Sequence, residues 1–212
     1  MFTKKNTKSK ILTEARNLFN EMGYSNVTIR MIALQLKMSS GNLNYHFKTR
    51  EDILEALYFE MVETFDARIE QLGEHEITLE TIAQDMYKSL DRMIAYRFFW
   101  TDLYNLLRSN EKIKAHFEGV YSSRYKGYEF LFEYLHQKGI IRDFEFTSER
   151  QFLIEHMIGF SNTWLYNSFI YDIKVDDNYI RHQTTNLLMM LYPYFTDFGK
   201  KQYGELKLGD LM

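Results

Sequence analysis

Between Thr28 and Phe47 the chain reads TIRMIALQLKMSSGNLNYHF. Ser40, Gly41, Asn42, Asn44, Tyr45 and His46 form a run of short polar and aromatic residues with no carboxylate among them. Such a set suits a surface entering a groove lined with phosphates, where an acid would be repelled and amides and hydroxyls can reach base edges. An asparagine can read adenine in a bidentate way, and Gly41 permits close backbone approach. Leu43 and Phe47, at i and i+4, would anchor the same short helix from beneath. The element before it must support it: Ile32, Ala33 and Leu36 pack inward, and small Ala33 lets the two helices cross closely. A longer first helix precedes both. Its apolar face is Ile11, Leu12, Ala15, Leu18, Phe19 and Met22, and Gly23 follows as a natural stop. A long helix and two short ones joined by a tight turn predict a helix-turn-helix unit.

Charge agrees with that chemistry. Residues 1–50 carry nine Lys/Arg and two acids, +7, whereas the remaining 162 residues carry −10, inside an overall charge of only −3. A sign change of this size suggests a polyanion-binding module on an acidic body. Thr28 and Arg30 begin the support helix and Lys37 stands in the turn. Tyr45, His46, Lys48 and Arg50 look like a phosphate clamp near the N-terminus of the next helix, where the macrodipole also favours anions. The candidate DNA-contacting set is thus Thr28, Arg30, Lys37, Ser39, Ser40, Gly41, Asn42, Asn44, Tyr45, His46, Lys48 and Arg50, with Lys4, Lys5 and Lys8 reaching from the tail.

The rest of the chain is helical in pattern, with one Pro, ten Gly and no cysteine. The lack of cysteine excludes disulfide scaffolds, thiol nucleophiles and thiol redox sensing. About nine helices are expected. Thr49 and Asp52 resemble a capping box opening the fourth, with Ile53 to Leu72 inward. Thr78 caps a fifth, Phe98 to Leu107 forms a sixth, and Ile113 to Gln137 a seventh stopped by Gly139. Ser148 with Gln151 opens an eighth, and Asp176-Asp177 a ninth that ends at Pro193. The Glu74-His75-Glu76 segment is a break, and the last dozen residues look loose. No run is long enough to span a membrane, the first residues do not form a signal peptide, and a cytoplasmic protein is expected.

Two domains are read, a helix-turn-helix domain over 1–50 and a helical body over 51–212. The body holds 30 of the 35 aromatics. Its eighth helix is apolar almost all round and must be covered on several sides, so a homodimer is expected. Trp100, Tyr104, Tyr121, Tyr125, Tyr128, His156, Phe160 and Trp164 could line a cavity for a planar or lipophilic molecule, the alternative being ordinary core packing. Arg97 and Arg124 could meet an anionic head group, the alternative being surface pairing with acids. The six histidines show no i, i+4 pair, so neither a metal nor a cofactor is expected. No HExxH, G-x-S-x-G, phosphate loop or G-x-G-x-x-G assigns catalytic roles.

The segments IL..A..LF...GY..VTIR.IA (11–33) and MSSGNLNYHFKTREDIL (38–54) resemble the tetracycline-repressor (TetR/AcrR) family of bacterial regulators. YRFFWTDLYNLL (96–107) is similar to a C-terminal type in one branch of it. The resemblance implies an all-α protein that binds a pseudo-palindromic duplex as a homodimer. It also implies a ligand pocket in the body that shifts the reading heads through the fourth helix. Two positions depart from the pattern: Lys37 stands where the family usually has Gly, and Asn44 where it often has Tyr. The functional expectation is a repressor released from its operator by a lipophilic or aromatic ligand. An architectural or adaptor DNA-binding protein without an effector is the alternative.

Overall fold

The computed structural model describes residues 2–72 and 77–206, with side chains apart from those of 2–6, 66–72 and 147. The Glu74-His75-Glu76 break and the side chains of Lys4, Lys5, Ile69 and Leu72 therefore lie outside the described residues. Within them the chain is all-α. It has eleven α-helices, two short 3-10 turns, and no strand beyond an isolated bridge between Ile141 and Phe195. The helices are α1 Phe2–Met22, α2 Ile29–Gln35, α3 Ser40–His46, α4 Arg50–Leu72, α5 Leu79–Ala95, α6 Arg97–Thr101, α7 Leu103–Ser109, α8 Glu111–Gln137, α9 Thr147–Ile170, α10 Asp177–Met189 and α11 Asp197–Glu205.

Eleven exceeds the nine expected, for two local reasons. The expected helix over 98–107 is divided at Asp102, whose backbone leaves the helical region (φ −124°, ψ 23°) while its carboxylate accepts from Asn105 Nδ2 at 2.6 Å. Of the last dozen residues, expected to be loose, 201–205 belong to α11 and 207–212 lie outside the described residues; Thr196 caps α11, its hydroxyl accepting from Gly199 N at 3.1 Å. One cap differs too. α9 begins at Thr147 behind Phe146, with no side-chain cap, so Ser148 is inside the helix rather than ahead of it. The other signals appear where expected. Thr78 Oγ1 accepts from Thr81 N, Asp176 Oδ1 accepts from Tyr179 N, and Gly139 ends α8 at φ 68°.

The chain divides into two compact units, one of residues 1–71 with 95–114 and one of 72–94 with 115–212. In the first, Ile11, Ala15, Phe19, Val27, Ile32, Leu43, Ile53 and Leu57 are fully buried and fuse α1 to α4 into one core. The segment after Ala95 is tied to α1 by polar contacts. Asn20 donates to the Ala95 carbonyl at 2.9 Å and accepts from Phe98 N at 3.1 Å, while Arg97 Nε donates to the Asn20 carbonyl at 3.0 Å. Tyr96 donates to Glu60 at 2.8 Å and accepts from Arg16 at 3.2 Å. Burial, with the Glu60 carboxylate beside it, pushes the Tyr96 phenol up to about 12.

In the second unit a core of Ile82, Met86, Phe132, Leu135, Ile154, Met157, Ile158, Leu187, Leu188 and Leu191 joins α5, α8, α9 and α10. Trp164 is buried there, its Nε1 directed at Met93 Sδ (3.3 Å). Tyr87 of α5 donates to Asp177 of α10 at 2.5 Å, and Arg181 pairs with the same carboxylate at 2.7 Å.

Candidate nucleic-acid interface

Thr28 starts α2 as an N-cap, its hydroxyl accepting from Met31 N at 3.3 Å. Seven residues later the helix closes with two carbonyls satisfied by the turn. Met38 N donates to the Ala33 carbonyl and Lys37 N to the Leu34 carbonyl, both at 3.0 Å. This is a Schellman closure, and it places Lys37 in the left-handed region at φ 52°. A side chain there costs roughly 1–2 kcal/mol, which glycine avoids. Glycine recovers only part of that, because it loses more chain entropy on folding. Lys37→Gly should therefore raise stability by about 1 kcal/mol, measured by urea unfolding; a lower midpoint would show that the lysine stem contributes more than its strain.

Ser39 then caps α3, accepting from Asn42 N at 3.2 Å. Leu43 and Phe47 face the core, as their spacing predicts. Ser40, Gly41, Asn42, Asn44 and Tyr45 are exposed on the opposite side, and His46 is half-buried. The Tyr45 and His46 rings meet edge to face at 5.3 Å, and His46 Nδ1 is buried without a hydrogen-bond partner among the described residues. The His46 ring thus packs against the exposed Tyr45 ring.

The next junction is a complete capping box. Asp52 accepts from Lys48 N at 2.9 Å and Thr49 N at 3.0 Å, and Thr49 Oγ1 accepts from Asp52 N at 3.0 Å. It holds the Lys48 backbone and leaves the Lys48 side chain in solvent. Arg50, two residues on, is directed inward. Its Nη1 donates to the carbonyls of Tyr24 (3.1 Å), Ser25 (3.2 Å) and Val27 (3.0 Å), and its guanidinium lies 4.2 Å from the Tyr24 ring centroid. The guanidinium is thus committed to the protein's own backbone. Burial pushes the Tyr24 phenol up to about 12, against the pull of Arg50. Arg50→Ala should destabilise the chain by about 2 kcal/mol, whereas Arg30→Ala, at an exposed position, should leave the unfolding midpoint unchanged. Equal midpoints for the two variants would contradict the structural role of Arg50.

Residues from outside the helix-turn-helix complete the surface. Lys8 Nζ lies over the Phe47 ring at 5.5 Å. Lys112, at the start of α8, lies over the Phe59 ring at 5.2 Å and pairs with Glu55 at 2.6 Å. Those bonds, with one from Asn110, hold the Glu55 carboxyl below its ordinary range. Lys8, Lys48 and Lys112 thus rim one shallow depression beside Tyr45. Lys112 carries no sequence signal for this position, since a distant carboxylate and ring place it there.

The aromatic candidates of the body fall into different settings. Trp100 (buried) and Tyr104 (exposed) belong to the first unit, and the other six to the second. Of those six, Trp164 is buried, Tyr125, Tyr128 and Phe160 are half-buried, and Tyr121 and His156 are exposed. His156 and Phe160 border an open groove with Phe152 and Tyr194. Among the described residues no group of side chains is arranged to hold a metal ion, and no helix is long and apolar enough to cross a membrane.

A three-helix head with a capped, carboxylate-free third helix, on a chain that is all-helical among its described residues, is the architecture of a helix-turn-helix DNA-binding protein. Comparison with known proteins gives the family. The profile of bacterial regulatory proteins, tetR family, matches residues 11–57, and that of a bacterial transcriptional repressor, TetR, matches residues 60–203. The chain belongs to the TetR family of bacterial transcriptional regulators, which are not enzymes. It is 31% identical over 119 residues to the HTH-type transcriptional regulator QacR of Staphylococcus aureus, covering 51% of this chain and 61% of that protein. It is also 31% identical over 81 residues to the probable HTH-type transcriptional regulator YttP of Bacillus subtilis, covering 38% and 39% of the two chains. These matches span less than two thirds of either curated relative. A TetR-family regulator from Marinobacter aquaeolei superposes with a TM-score of 0.84 at 25% identity, covering 93% of this chain and 96% of that one.

Proposed function

We propose that the chain is a homodimeric repressor that holds a pseudo-palindromic operator and releases it when a small lipophilic or aromatic molecule enters the body. Residues 1–50 form the reading head and 51–212 the effector-binding and dimerisation part. The observation that carries the reading is the exposed side of α3, where Ser40, Gly41, Asn42, Asn44 and Tyr45 stand together without an acid. Gly41, Asn42 and Asn44 reach base edges. Thr28, Ser39 and Ser40 at the two capped helix starts, together with Arg30, Lys37, Tyr45 and Lys48, take phosphates. Lys8 and Lys112 extend that clamp, while His46 and Arg50 position it. Dimerisation is supported by α9, where Phe152, His156, Gly159, Thr163, Tyr166 and Ile170 form one exposed stripe at three- and four-residue spacing. Two such heads related by a two-fold axis require a two-fold related site.

The decisive experiment is selection of genomic fragments with the pure chain, followed by gel shift with a panel of lipophilic compounds. Capture of one palindrome that a compound releases is the expected result. A palindrome that nothing releases would favour an architectural or adaptor role without an effector. No preference over random duplex at physiological salt would overturn DNA reading by this surface.

A further inference from the structure

Arg97 and Arg124 both have partners. Arg97 donates to the Asn20 carbonyl, and Arg124 donates to Asn162 Oδ1 at 2.7 Å and Ser161 Oγ at 2.6 Å. Arg92 on α5 is different. Its residue is half-buried, and its Nη1 is buried without a hydrogen-bond partner among the described residues. Ser89, three residues earlier on the same flank of α5, has a buried Oγ in the same condition. A helical hydroxyl in this chain ordinarily bonds the carbonyl four residues back: Thr101, Ser161, Thr163, Thr184 and Thr185 all do so. Ser89 does not. Residues three apart on a helix lie roughly 5–6 Å from each other at Cβ, so the two residues share one flank of α5 and each brings a buried donor to it.

A buried guanidinium nitrogen with no acceptor is costly, and so is a buried hydroxyl with none. Arginine has donors only. Whatever completes the pair must therefore present an acceptor, and a negative oxygen gives the strongest match. Asp85, one turn before Ser89, is half-buried and already engaged in an interaction of its own. The other side of α5 is the apolar row Leu79, Ile82, Ala83, Met86, Leu90 and Met93. That row is buried in the core, so the flank of Ser89 and Arg92 is the polar border of a packed apolar face.

We infer that the α5 flank of Ser89 and Arg92 seats the oxyanion, a carboxylate or phosphate, of a small amphiphilic effector. The inference rests on the effector reading above and narrows it from lipophilic compounds to acidic ones.

The test uses the full chain, with decanoate, benzoate and phenyl phosphate as probes, each compared with an uncharged ester or alcohol of the same skeleton. Thermal unfolding and calorimetry should show at least one anion binding while its uncharged counterpart does not. Arg92→Gln should weaken that binding about tenfold or more, Ser89→Ala about threefold, and Arg92→Lys should fall between wild type and Arg92→Gln. Without ligand, Arg92→Gln should unfold at the wild-type temperature or higher, because a shorter neutral amide replaces an uncompensated charged donor. The proposal is overturned if no anion outperforms its counterpart, if Arg92→Gln binds the anion as wild type does, or if the ligand-free variant unfolds several degrees lower. Operator release is scored separately. Release by uncharged or cationic compounds alone would leave the effector reading standing and remove this one. Absence of both release and binding for every compound would remove both.

Discussion

Replacing Tyr45 and Lys48 together by alanine should weaken operator binding about a hundredfold and leave the unfolding temperature unchanged. Each lost polar contact to DNA costs roughly 1–3 kcal/mol, and every 1.4 kcal/mol is tenfold. Both side chains can be removed without disturbing the core. Tyr45 is 69% exposed, and the capping box uses only the Lys48 backbone N–H. Leu43 and Phe47 still hold α3 from beneath. The single variant Lys48→Ala gives a sharper diagnostic. A phosphate contact releases a counterion, so its loss should flatten the plot of log affinity against log salt by about one and weaken all sequences alike. Wild-type affinity and slope in that variant would remove Lys48 from the clamp.

Gly199→Ala should be severely damaging, at about 3 kcal/mol or more. A β-carbon at this position would overlap the carbonyl oxygen of Ile140, and would also lie 3.1 Å from its carbonyl carbon and 3.2 Å from Phe195 Cβ. That carbonyl cannot step aside cheaply. It accepts from Thr196 N at 3.0 Å, and the Thr196 hydroxyl is bonded to the neighbouring Gly139 carbonyl at 2.6 Å. Relief would require α11 to lift from the 139–142 segment, breaking those bonds and the one from Arg142 N to the Tyr194 carbonyl. For a chain of this size the expected fall in melting temperature is about 10 °C. Gly204→Ala, five residues on in the same helix, serves as the control, since a β-carbon there has nothing within 4 Å. A similar Tm for the two variants would mean that the α11 packing is not as close as described.

Much of the reading head was legible in the residues. The apolar periods gave α1, α2 and α3, with Leu43 and Phe47 beneath and the polar run outside. The Thr49–Asp52 box also followed from local chemistry, because a cap depends on residues only a few positions apart; the turn at Lys37 was signalled only by the resemblance, in which glycine stands at that position. Arg50 shows where that stops. Its position near a helix start suggested a phosphate ligand, but three carbonyls more than twenty residues earlier take up its guanidinium. The aromatic candidates scattered for the same reason. A period identifies a buried face, and it does not say which neighbouring element covers that face.

The sequence alone determined that the chain is helical, that its first fifty residues are basic and built around a short carboxylate-free helix, and that thiol chemistry is absent. These properties follow from residue types and from spacings within one helix. The tertiary structure decided which polar tips are spent inside the protein and which remain for a ligand. Arg50, Arg97 and Arg124 are spent; Lys48 stands in solvent; Lys112 is carried to the reading head by Glu55 and Phe59; Ser89 Oγ and Arg92 Nη1 are buried with no partner among the described residues. The physical reason is that a long side chain takes its hydrogen-bond partners from whatever the fold brings within about 3 Å, and those partners come from distant parts of the chain.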